Sequence, residues 1–146
     1  MSPTCPTTAR RQPGIVVVST TDDDRKSIEM LLWDWAVDSA SSLGEAMALI
    51  AANQVGVVVC REDFAGGAWS DLLRELERLD APPPLIVLSH RADEHLWARV
   101  LRAGAYDLLA MPLEPADAMR AISHAVSHFW QRTAQPRVSR MAAVVA

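Results

Sequence analysis

The sequence predicts an α/β fold in which five parallel strands alternate with five helices, giving a doubly wound (βα)5 sheet covered on both faces. Three observations carry this prediction. The segments GIVVVST (Gly14 to Thr20), VGVVVC (Val55 to Cys60) and LIVLS (Leu85 to Ser89) are dominated by β-branched and apolar residues without alternation, the pattern of strands buried on both faces. Between and after them, apolar residues return at helical spacing. The 146 residues contain no internal repeat and leave room for one domain.

The elements follow in order. After a polar segment, 1–13, expected to be a tail, the first strand runs into Asp22, Asp23 and Asp24, which supply N-cap and first-turn carboxylates for a helix over about 23–36 carrying Ile28, Leu31, Leu32 and Trp35. Ala36 to Ala40 is the weakest strand candidate. Ser41 or Ser42 can cap a helix with Leu43, Met47 and Ile50 on its inner face. Leu72, Leu73, Leu76 and Leu79 mark the helix after the third strand, and three prolines launch the fourth strand. A helix with Leu96, Trp97, Val100 and Leu101 stops at Gly104, Tyr106 to Met111 forms a short fifth strand, and Met119, Ile122, Val126 and Phe129 define the last helix. The domain is expected over 14–133, with 134–146 a second tail. Right-handed crossovers join parallel neighbours in such a sheet.

Composition narrows the function classes. Half of the residues are apolar and 22% are charged, which supports a packed core. Fourteen Lys and Arg face eighteen Asp and Glu, a net charge of −4, with no basic block, so neither nucleic acid nor an acidic membrane surface is an expected partner. The longest apolar runs fall far short of the roughly 20 residues that span a bilayer. No signal peptide is read in the first 13 residues, and a cytoplasmic location is expected. Cys5 and Cys60 are read as free thiols.

In open α/β sheets, chemistry collects beyond the carboxyl ends of the strands. That edge holds Ser19, Thr20 and Thr21 with Asp22 to Asp24, then Cys60, Arg61, Glu62 and Asp63, then Ser89 and His90, and finally Met111 and Pro112. Over about Gly14 to Arg132 the sequence resembles the receiver domain of bacterial two-component response regulators. The strand and acidic helix start at Ile15 to Asp24, the strand at Val57 to Cys60 with its Gly-containing loop and Leu72-Leu73, LIVLS ending in Ser89, and AGAYDLLAMPL (Ala103 to Leu113) carry the resemblance. It implies the flavodoxin-like strand order 2-1-3-4-5. In that family an Asp ending the third strand accepts a phosphoryl group, an acidic pair after the first holds Mg²⁺, a Ser or Thr ends the fourth, and a Lys precedes the Pro after the fifth.

Carried over residue by residue, the resemblance implies a degenerate site. Ser89 keeps the hydroxyl, Met111 stands at the Lys position, Ser19 and Thr20 at the acidic pair, and Cys60 or Arg61 at the acceptor. A pseudo-receiver is therefore expected: not an enzyme, without cofactor or metal, acting in phosphorelay signalling by protein–protein contact. Its partners would be a histidine kinase, a phosphotransfer protein or another regulator, with a homodimer as a further arrangement. No output domain is read after the last helix, so the signal would leave through a face presenting Trp97, Arg99, Arg102, Tyr106, Arg120 and His124; Trp130 is a second surface candidate. The alternative is a phosphorylatable receiver with a shifted acceptor, Asp63 or Glu62, using Asp22 to Asp24 and Mg²⁺. Otherwise Glu62 and Asp63 read as a solvated turn, and Arg61 reads either as solvent-facing or as a counter-ion to Asp22, Asp23 or Glu62.

Two other classes fit less well. A flavodoxin-like electron carrier would use Ser19-Thr20-Thr21 around a flavin phosphate, but the three aspartates would repel the dianion. A thiol phosphatase built on Cys60 would need an Arg where Gly66 stands. His124 and His128 have zinc-ligand spacing on a helix without a third ligand and read as solvated.

Overall fold

The computed structural model describes residues 14–20, 22–31 and 35–134. The expected tails and Cys5 lie outside them, except Ala134, which belongs to the last helix. Strands β1 (Gly14–Val18), β2 (Val37–Ala40), β3 (Val55–Arg61), β4 (Leu85–Ser89) and β5 (Asp107–Ala110) alternate with helices α1 (Asp22–Leu31), α2 (Leu43–Ala52), α3 (Trp69–Leu76), α4 (Glu94–Ala103) and α5 (Pro115–Ala134). All strand pairs in the sheet are parallel, in the order β2-β1-β3-β4-β5. That is the (βα)5 arrangement the sequence predicts. No described helix is long and apolar enough to cross a membrane.

The uniform apolar strands divide their side chains between two cores. Val16, Val18, Val58, Cys60, Leu85 and Val87 pack under α2, α3 and α4 with Ala46, Ile50, Leu72, Leu76, Leu96 and Val100. Ile15, Val17, Val57, Val59, Ile86 and Leu88 pack under α1 and α5 with Ile28, Ile122 and Val126. Strand alternation sends successive residues to opposite faces, and because both faces are covered, every position must be apolar. Full burial of a Val, Leu or Ile stabilises by about 1.5–3 kcal/mol. The inner strands are therefore fixed by composition alone.

Capping sets the helix positions. Ser42 Oγ accepts from Glu45 N at 3.2 Å, and Asp93 Oδ1 accepts from Leu96 N at 2.8 Å. Gly104, at φ 117°, terminates α4 in the left-handed region, where a side chain would be strained. One feature goes beyond the expected elements: the loop after β3 forms a small antiparallel ladder, Asp63–Phe64 against Gly67–Ala68. Its turn places Gly66 at φ 90°, and Ala65 bridges to Ser42. At Gly67 a Cβ would stand 2.9 Å from Asp71 Oδ2, the oxygen that accepts from Ala68 N, so the bare glycine admits the carboxylate that starts α3. Trp130, expected at the surface, is half-buried against the α1–α5 core and lies edge-on to Phe129. The period of α5 carries it partly inward.

Candidate functional site at the carboxyl edge of the sheet

The edge residues come from the four inner loops of the fold, and register decides which of them meet. Val18 pairs with Cys60, Cys60 with Val87, and Arg61 with Leu88, so β3 ends one row short of Ser89. The next residue, Glu62, reaches that row. Ser89 Oγ donates to Glu62 Oε1 at 2.7 Å, Arg91 Nη2 donates to Glu62 Oε2 at 3.4 Å, and Arg91 N donates to Ser89 Oγ at 2.9 Å. Ser89 is fully buried while the Glu62 side chain keeps 24% exposure. Both hydroxyl functions and both carboxylate oxygens are thus used within one cluster. Trp69 N donates to Glu62 O, which ties the same residue to the start of α3.

The expected solvated turn at Glu62 and Asp63 is therefore half right. Asp63 is exposed at the start of the short ladder, whereas Glu62 is a bridging acceptor between two loops. Its carboxylate is engaged by Ser89 and Arg91. Arg61 itself is half-buried at the last position of β3. The side chains of Asp22 and Asp24, its other expected counter-ions, lie outside the described set; Asp23 is exposed.

Of the two acceptor-equivalent positions, Cys60 is sealed in the core beside Val18 and Val87. Burial pushes its thiol above the ordinary range by disfavouring the thiolate. Position 61 is half-buried at the strand end, and a guanidinium offers no nucleophilic lone pair. Ser19 is buried, Thr20 exposed, and Met111 half-buried against the α1–α5 core, preceding a cis Met111–Pro112 bond. Hard divalent ions favour carboxylate oxygens over neutral hydroxyls. Among the described residues no cluster of three or more His, Cys, Asp or Glu could hold a metal.

The expected partner face is a groove of about 620 Å³ along the open side of β5, between α4 and α5. Trp97 is 50% exposed at its wall and also borders a second depression of about 410 Å³. Arg120 and His124 line the groove, and Tyr106 reaches it half-buried, its ring 5.6 Å from that of His128. Arg99 and Arg102 are exposed on α4 but do not line the groove. Arg120 is paired with Asp117 one helical turn earlier. The face is thus less basic than its arginines suggested. Sequence reading overlooked Arg91 at the edge and Asp107 and Glu114 in the groove; only the Asp117–Arg120 spacing carried a local signal.

No protein-family model matches the chain. It is 34% identical over 125 residues, 82% of its length, to the C4-dicarboxylate transport transcriptional regulatory protein DctD of Pseudomonas aeruginosa, and 28% identical over 102 residues to the protein of that name in Rhizobium meliloti. It spans only about a quarter of those relatives, 26% and 22% of their lengths. A signal receiver domain of an HD domain-containing protein from Pseudomonas fluorescens superposes with a TM-score of 0.77 at 20% identity, over 86% of this chain and 94% of that one. A CheY-like response regulator receiver domain from Methanospirillum hungatei gives 0.73 at 19%, over 83% and 98%. With the five-stranded order and the crevice placed as described, the chain has the fold of the response regulator receiver domains.

Proposed function

We propose that the chain acts as a pseudo-receiver in two-component or phosphorelay signalling, binding partner proteins without metal-dependent phosphorylation. The observation that carries this reading is the Ser89–Glu62–Arg91 cluster beside Arg61: the strand-end hydroxyl is already engaged by an internal carboxylate, and the acceptor position holds a cation. Transfer of a phosphoryl group to a carboxylate needs positive charge on the transferring oxygens from a metal and a fixed cation. Ser19, Thr20 and Met111 supply neither the ligands nor the cation at the family's positions.

The partners in this reading are a histidine kinase, a phosphotransfer protein or another regulator, met in the cytoplasm through the α4–β5–α5 face. Incubation with a small phosphodonor and Mg²⁺, followed by intact-protein mass measurement, tests it. The expected result is an unchanged mass. A phosphoryl gain that disappears in Asp63→Asn or Glu62→Gln would establish the shifted-acceptor alternative instead.

A further inference from the structure

The charge around the β5 groove says more about its partner than the exposed arginines do. The groove and the adjoining depression are lined by five carboxylates, Asp93, Glu94, Asp107, Glu114 and Asp117, against one guanidinium, Arg120. Asp117 and Arg120 compensate each other. Among the described residues no cation pairs with the other four. Three of them are fixed in place by accepting backbone amides: Asp93 from Leu96, Asp107 from Leu108 and Glu114 from Ala116. Such bonds orient a carboxylate while leaving its charge in place.

The groove has a shape as well as a charge. Trp97 stands half-exposed where the two depressions meet, over the edge strand β5, which among the described residues has no strand on its outer side. Open edge strands are generally covered by a helix or a partner. Arg99 lies two positions from Trp97, roughly 200° around α4, so it faces away from the groove and cannot offset the rim.

We infer that the groove receives a basic amphipathic helix of a partner protein, with apolar anchors seated around Trp97 and Lys or Arg side chains meeting Asp107, Glu114 and the Asp93–Glu94 pair. The inference rests on the proposed reading of this face as the partner surface and adds the chemistry of what it binds. Helix-in-groove recognition uses anchors at i, i+3, i+4 and i+7. Complementary rim charge speeds encounter and suppresses partners of the wrong sign.

The test compares two synthetic peptides of roughly 18 residues, about five helical turns, with identical leucine anchors and either lysine or glutamate elsewhere. Binding to the isotope-labelled full chain is followed by amide shifts and titration. The lysine peptide should shift Trp97, Leu109, Ala110 and Leu113 amides, weaken as salt rises, and lose affinity about tenfold in the double variant Asp107→Asn, Glu114→Gln, which keeps both amide-accepting oxygens. Trp97→Ala should weaken both peptides. Equal or tighter binding of the glutamate peptide at the same amides would overturn the basic-partner inference while leaving the face in place. Shifts confined to other surfaces, or concentration-dependent self-association that occupies the groove, would overturn the inference, and absence of any groove shift with either peptide would overturn the face itself.

Discussion

The carboxyl-edge crevice and the β5 groove are both polar surfaces on the same sheet, yet they dispose of their polar groups in opposite ways. In the crevice, Ser89, Glu62 and Arg91 satisfy one another across two loops. In the groove, among the described residues, Asp107 and Glu114 accept only from the nearby amides of Leu108 and Ala116, and Trp97 stays half-exposed. A buried polar group left without a partner costs about 1–3 kcal/mol, so an enclosed crevice is stable only if its polar groups pair internally. An exposed groove is under no such constraint, because water serves its carboxylates. The contrast teaches that internal closure and external availability can be read from where each hydrogen bond ends.

The largest expected effect separates the crevice's lining from the core beneath it. Cys60→Asp would bury an unpaired carboxylate among Val18, Val58 and Val87 and should cost about 4 kcal/mol or more. Arg61→Asp, one residue on at the half-buried strand end, should cost distinctly less. Chemical denaturation of both variants makes the comparison, and equal losses would mean position 61 is as enclosed as position 60.

A middle-sized effect concerns closure itself. Ser89→Ala, Glu62→Gln and the double variant form a cycle whose coupling should be about 1–2 kcal/mol, reduced from a fully buried charged bond by the partial exposure of Glu62. Additive losses, within about 0.5 kcal/mol, would show the two loops to be merely adjacent. The smallest effect belongs to the groove: Trp97→Ala should change stability by about 1 kcal/mol or less, since half of that side chain already meets water. A loss as large as the 3–5 kcal/mol typical of a core tryptophan would make Trp97 structural, and the groove would then differ from the crevice only in depth.

Much of this was legible before any coordinates, but unevenly. β1, β3 and β4 were plain because both of their faces are buried, whereas β2, a half-exposed edge strand of sequence VDSA, carried almost no periodic signal. Gly104 announced the end of α4 through a residue type suited to that cap, whereas the Asp93 cap at its start went unread. The short ladder after β3 left no trace, since two-residue strands have no period and Ala65 is held by Ser42 from a different helix start. At the site, the strand-end residues were found and their alliances were not. Ser89 and Glu62 are 27 positions apart, and only the parallel register brings them level.

The sequence by itself determined the alternation of strands and helices, the sealed interior and the identity of the residues at the carboxyl edge, because burial and capping act through neighbouring residues and their periodicity. The tertiary structure alone decided that Glu62 takes the Ser89 hydroxyl, that Cys60 is enclosed while Arg61 is only half-buried, and that the groove along β5 is lined mainly by carboxylates. Hydrogen bonds and rim charge depend on distances between side chains from separate loops and helices, and those distances exist only once the sheet has set its register.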